Sequence, residues 1–130
     1  VEIRVHEHDP AALRATARES LTFRKRTQPL PLPSAGCIFR NPEAERSRLP
    51  AGMPCSAGAL IDRAGLKGAR RGGARISPVH ANFIVNEGGA TARDVVELID
   101  EARRRVEDAF GIGLREEIVR LGDFQTDSGE

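Results

Sequence analysis

The stretch TQPLPLPSA, residues 27–35, carries prolines at positions 29, 31 and 33. Proline fixes φ, removes an N–H donor and pushes the residue before it out of the helical region. Three prolines at alternate positions therefore forbid a helix and demand an extended connector. That connector divides the 130-residue chain into a short first unit, residues 1–26, and a main unit, residues 27–124, with a frayed tail over 125–130.

In the first unit, Val1, Ile3 and Val5 alternate with Glu2 and Arg4, the period of a half-buried strand. Asp9 followed by Pro10 reads as a helix start, and Leu13, Ala17 and Leu21 recur at four-residue spacing in AALRATARESLTFRKR. Arg24, Lys25 and Arg26 close that helix where cations suit its dipole. The chain begins without Met and inside an apparent strand, so it is expected to be a piece of a longer protein.

The main unit opens with a strand at CIF, then a polar loop, EAERSRLPAGMP. A helix capped by Ser56 and closed at Gly65 follows, with Leu60, Ile61 and Ala64 on one face. A strand spans residues 82–86. The clearest element is a third helix, with Val95, Leu98, Ile99, Ala102, Val106, Ala109 and Phe110 at helical spacing. Thr91 with Asp94 resembles a capping pair, Gly111 ends the helix, and a last strand runs through EIVRLG. Without regular βαβ alternation, the expected class is α+β: a small mixed or antiparallel sheet packed with about three helices.

The candidate chemistry is sparse. Formal charge is +1 and Tyr and Trp are absent, which argues against a nucleic-acid partner; no apolar run is long enough to span a membrane. Two cysteines are too few for a disulfide framework and suit a reducing, cytoplasmic setting. The three histidines have no metal-ligand spacing with them, so no metal site is expected. Cys37 lies in SAGCIFRNP, and burial as a small hydrophobe is the commoner fate of such a thiol. Its preceding glycine and nearby Asn41 leave room for a general acid or nucleophile. GARRGGAR, residues 68–75, allows a tight turn offering Arg70, Arg71 and Arg75 to an anion, a lone RNA-type segment, or a solvated turn with no ligand. His80 at a strand start and the adjacent Glu116 and Glu117 are weaker signals. No nucleotide-binding glycine fingerprint is present.

The ordered segments TQP, SAGCIFRNP, AGALIDRAGLKG, GGARISPVHANFIVN, ATARDV and the closing L-x-x-E-I-x-x-x-G resemble the carboxy-terminal part of the UDP-N-acetylenolpyruvoylglucosamine reductase family. The likeness covers roughly residues 24–122 and assigns residues 1–26 to the end of a preceding FAD-binding region. It implies an oxidoreductase of peptidoglycan precursor synthesis, a process behind cell shape and division. NADPH reduces FAD, the flavin passes hydride to C3 of the enolpyruvyl group, and a Ser or Cys protonates C2. The resemblance places that acid at Cys37 and a glutamate assisting the enol intermediate at Glu117. Asn41, His80 and a basic residue among Arg24, Lys25 and Arg26 fall on substrate-contacting positions. The implied substrate is UDP-N-acetylglucosamine enolpyruvate. Because the family's FAD-binding region is not in this sequence, the fragment is expected to bind no FAD and to be inactive alone. A stand-alone sugar-nucleotide or RNA-binding module using the Arg-Gly turn is the alternative.

Overall fold

The computed structural model describes residues 3–122, less the side chains at 44, 45 and 47. Helix α1 spans Pro10–Thr27, with the Asp9 carboxylate accepting from the N–H groups of Ala11 and Ala12. None of its residues is buried, and Leu13, Leu21 and Phe23 face solvent. Before it, residues 3–9 form no strand, and Ile3 and Val5 are exposed. Alternation alone cannot make a strand, because backbone N–H and C=O groups need a partner ladder. Val1, Glu2 and the expected frayed tail lie outside the described residues. The proline segment is non-helical as required, but it turns instead of staying extended: Leu32 N–H donates to the Pro29 carbonyl at 3.2 Å.

Four strands follow: β1 (Ser34–Cys37), β2 (Arg70–Arg71), β3 (Ala74–Ile76) and β4 (Phe83–Asn86). They pair antiparallel in the order β1-β4-β3-β2. A 3-10 turn (Glu43–Arg48) and helix α2 (Ala57–Arg63) lie between β1 and β2. Helix α3 (Ala92–Phe110) packs across β2 and β3. The Ser56 cap of α2, the Thr91–Asp94 capping box and the stop at Gly111 all form as the sequence suggests. The architecture is α+β, three helices with a four-stranded antiparallel sheet.

One sheet face carries the core. Ala74, Ile76 and Ile84 meet Leu98, Ile99, Ala102 and Val106 of α3 and Leu60 and Ile61 of α2. Burial of each such Leu or Ile is worth about 1.5–3 kcal/mol, so this apolar stripe dominates the stability of the unit. Two sequence expectations in this unit need correction. The CIF strand shifts toward the prolines, to Ser34–Cys37. The closing EIVRLG segment, residues 117–122, forms no strand; a single bridge, Phe39 with Glu116, lies just before it, and Val119 and Leu121 are exposed. GARRGGAR makes the tight turn that is one of its readings, at Gly72 and Gly73 between β2 and β3, and the hairpin is too short for the inward Ala74 and Ile76 to read as a strand.

Candidate functional site

The pairing of β1 with β4 explains the glycine before Cys37. Ser34 lies opposite Val85 and Cys37 opposite Phe83, so β1 spends three steps where β4 spends two. The extra residue is a β-bulge, and Gly36 sits in it at φ 86°, a left-handed conformation that glycine adopts without steric cost. An unbulged strand would turn Cys37 toward α3 and the core. The bulge sends it to the opposite face beside Phe83, and Cys37 is half-buried outside the apolar cluster. The core-thiol reading of this cysteine is therefore excluded.

Beyond Cys37 the backbone bends, and Ile38 and Phe39 both enter the core at 2% exposure. Two segments grip this bend. From one side the Ile38 N–H donates to the Asn82 carbonyl at 2.9 Å, and the Asn82 carboxamide accepts from Phe39 N–H at 2.9 Å while donating to Phe39 C=O at 2.8 Å. From the other side Glu117 N–H donates to the Ile38 carbonyl at 2.8 Å and Arg40 N–H to the Arg115 carbonyl at 2.9 Å. That second grip brings together Cys37 and Glu117, eighty positions apart in the chain.

Burial pushes the Cys37 thiol above its ordinary value, the Glu117 carboxylate pushes it further, and a hydrogen bond from Asn82 pulls the other way. The net direction is up, so the thiol keeps its proton at neutral pH. Replacing Glu117 with Gln removes one of the raising influences. E117Q is accordingly expected to alkylate at Cys37 a few-fold faster at neutral pH, read with iodoacetamide in a Cys55→Ser background. An unchanged rate would show that the carboxylate does not act on the thiol.

The adjacent Glu116 does different work. Burial would raise its carboxyl, but hydrogen bonds and charge from Arg120 and Arg103 outweigh this and hold it below the usual range. Arg120 reaches it at 2.7 Å and 3.0 Å, and Arg103 also donates to it. Glu116 thus pins the closing segment to α3 and leaves Glu117 facing out. The folded-state value is depressed, so this contribution is present at neutral pH and is lost as acid brings the pH down through the lowered value.

Asn41 is exposed, and its Oδ1 accepts from Ala57 N–H at 3.1 Å at the start of α2. His80 accepts at Nδ1 from the Asn82 N–H at 3.2 Å, and its ring meets Phe83 edge-on at 4.9 Å. Burial, with the nearby Lys67 charge, lowers the His80 value, although a backbone hydrogen bond opposes the shift. The ring is neutral at physiological pH. It lines a depression of about 170 Å³ with Ser56, Gly58, Asp62 and Lys67. Cys37, Glu117 and, through Asn82, His80 form one neighbourhood, with Asn41 on the same continuing segment. Lys25 and Arg26 do not join it; they sit exposed on the last turn of α1, without a side-chain partner among the described residues.

The Arg-Gly turn is not an open anion site. Arg70 and Arg75 pair with Glu87 at 2.6 Å and 3.0 Å, and Arg71 pairs with Glu101 at 2.6 Å. Among the described residues no cluster of His, Cys, Asp and Glu could hold a metal ion, and no helix is long and apolar enough to cross a membrane. Asn82 is the residue that sequence reading passed over. An amide at the head of an apolar strand is a signal in itself, since a buried carboxamide must find partners.

Residues 28–121 match the family described as UDP-N-acetylenolpyruvoylglucosamine reductase, C-terminal domain. The chain is similar to the UDP-N-acetylenolpyruvoylglucosamine reductase of Prochlorococcus marinus, at 49% identity over 115 residues, covering 88% of this chain and 34% of that one. The Anaeromyxobacter dehalogenans enzyme of the same name is 49% identical over 127 residues, 98% of this chain and 36% of that one. Among solved structures, the UDP-N-acetylenolpyruvylglucosamine reductase of Thermus caldophilus superimposes with a TM-score of 0.63 at 40% identity, covering 88% of this chain and 37% of that one. The chain spans about a third of the length of these curated relatives.

Proposed function

The chain belongs to the UDP-N-acetylenolpyruvoylglucosamine reductase family, as its C-terminal domain, and from that premise we propose that it is the substrate-binding, proton-donating part of such a reductase. The observation that carries this reading is the placement of Cys37. A bulge turns it off the core, and burial and Glu117 keep it protonated against the opposing pull of Asn82. A general acid must hold its proton until the reaction demands it, and a thiol so placed is loaded at neutral pH.

The reaction proposed for the longer protein is reduction of UDP-N-acetylglucosamine enolpyruvate to UDP-N-acetylmuramate, with FAD and NADPH supplying the hydride chemistry. The residues present here do not fit the flavin. The depression at His80 is smaller than the about 300–1,000 Å³ that encloses a drug-sized ligand. The groove of about 360 Å³ between Pro33 and Val95 is lined mainly by apolar groups and has no cation for a pyrophosphate. No step is therefore routed through flavin on this chain, and the isolated piece is proposed to lack reductase activity. Its own part is to deliver the Cys37 proton to C2 of the enolpyruvyl group. Glu117 stands beside that event to orient the enol intermediate, and Asn41 and neutral His80 offer hydrogen bonds to the sugar nucleotide. Lys25 and Arg26 would lend positive charge to its phosphates.

Titration of the isotope-labelled chain with UDP-N-acetylglucosamine enolpyruvate tests the binding half. Amide shifts are expected to cluster at Cys37, Asn41 and His80. Shifts confined to Arg70–Arg75 would sink the proposal in favour of the Arg-Gly turn.

A further inference from the structure

We propose that Asn82 is the positioning residue of this site: its carboxamide fixes the backbone bend behind Cys37 and holds the thiol in one orientation. The inference rests on the reading of Cys37 as the proton donor and deepens it.

Asn82 is 3% exposed, one of two buried polar side chains among the described residues, the other being Ser77. A carboxamide in such a place must use its hydrogen-bonding groups. Its oxygen takes the Phe39 N–H and one amide hydrogen goes to the Phe39 carbonyl, a two-point clamp on one residue. The backbone of Asn82 contributes as well, with its carbonyl taking the Ile38 N–H. Three bonds thus run from one residue to the two positions that follow Cys37. The antiparallel pairing of Cys37 with Phe83 sets the Cys37 main chain next to residue 82. The carboxamide has a second amide hydrogen, and the proposal assigns it to the thiol, whose value Asn82 draws down against burial and Glu117.

This arrangement decides more than stability. Phe39 is driven inward by the apolar core, so its main chain must turn away from the β1 direction and leave the sheet ladder. Without an outside partner its N–H and C=O would be buried unsatisfied. Asn82 supplies that partner and, in the same group, a donor that favours sulfur when it has given up its proton. The charged or titratable neighbours are Glu117 on the closing segment, which acts against thiolate, and His80, whose neutral Nδ1 accepts the Asn82 N–H. Asn82 therefore offsets Glu117: one keeps the thiol loaded, the other eases release.

The first test uses the unaltered site in a Cys55→Ser chain, following the Asn82 side-chain amide resonances and the Cys37 Cβ resonance across alkaline pH. The expected result is that one Asn82 amide hydrogen titrates with the same midpoint as the thiol. A carboxamide that stays flat while the thiol titrates would overturn the inference. The second test is Asn82→Leu in the same background, with iodoacetamide as probe. A folded variant is expected to alkylate about tenfold more slowly at neutral pH, opposite in direction to E117Q. A variant that merely melts earlier, with an unchanged alkylation profile, would reduce Asn82 to a structural part. Failure of the proton-donor reading would look different: the Asn82–thiol coupling would persist while a Cys37→Ala full-length enzyme kept its activity.

Discussion

Replacing Cys37 with Ala in the full-length reductase is expected to leave bleaching of the flavin by NADPH unchanged and to slow its reoxidation by enolpyruvyl substrate by about 10²–10⁴-fold, the range that a general acid contributes. The fold should tolerate the change. Cys37 stands outside the apolar cluster, on the face of the sheet away from α3, and its thiol is only half-buried. The thermal midpoint should move little, which separates loss of a proton from loss of structure. Cys37→Ser keeps a proton-bearing group and should recover part of the rate, less readily because a hydroxyl is the weaker acid. If reoxidation by substrate survives in the alanine variant, the proton comes from elsewhere and the role proposed for this thiol is wrong.

The parts of this molecule that the sequence discloses are those whose physics is local. Helix α3 announces itself because Leu98, Ile99, Ala102 and Val106 repeat on one side and Thr91, Asp94 and Gly111 mark its ends. The proline run excludes helix wherever it sits. Strands are legible only to the extent that their partners are, and the partners lie far away in the chain. Ile3 and Val5 alternate correctly yet stay exposed, while the β2–β3 hairpin hides behind arginines and glycines. The site follows the same division. Cys37 stands out by its residue type and its preceding glycine, but the bulge that re-aims it depends on Phe83 and Val85. Its closeness to Glu117 depends on a bridge between Phe39 and Glu116 that no local pattern encodes; the residues single out Cys37 and, weakly, Glu117, and only the family resemblance joins the two in one reaction. Asn82 escaped notice because its three contacts run to residues more than forty positions earlier.

Gly73→Ala is expected to be the most destabilising single methyl addition in the sheet, costing on the order of 3 kcal/mol or more and melting the chain well below its usual midpoint. A β-carbon at Gly73 would lie 2.2 Å from the Gly88 carbonyl oxygen, 2.5 Å from the Ala90 nitrogen and 2.8 Å from the Gly89 carbonyl carbon. All three are main-chain atoms, so no side chain can swing aside. The loop they belong to is itself tied down. Asn86 Oδ1 accepts from Gly88 N–H at 2.8 Å and Ala90 N–H at 3.2 Å, and Glu87 N–H donates to the Gly73 carbonyl at 2.9 Å. Relief then requires the β2–β3 hairpin to part from β4, which draws Ala74 and Ile76 out of the core. Gly113 is the matched control: its added methyl meets no atom within 4 Å, and Gly113→Ala should fold as before. Urea or thermal unfolding of the two variants decides the matter, and equal midpoints would refute the clash. The same separation would loosen the neighbouring strand, and Asn82 immediately precedes it. A folded remnant of Gly73→Ala should therefore also show a disturbed Cys37 alkylation profile, linking the turn to the thiol through β4.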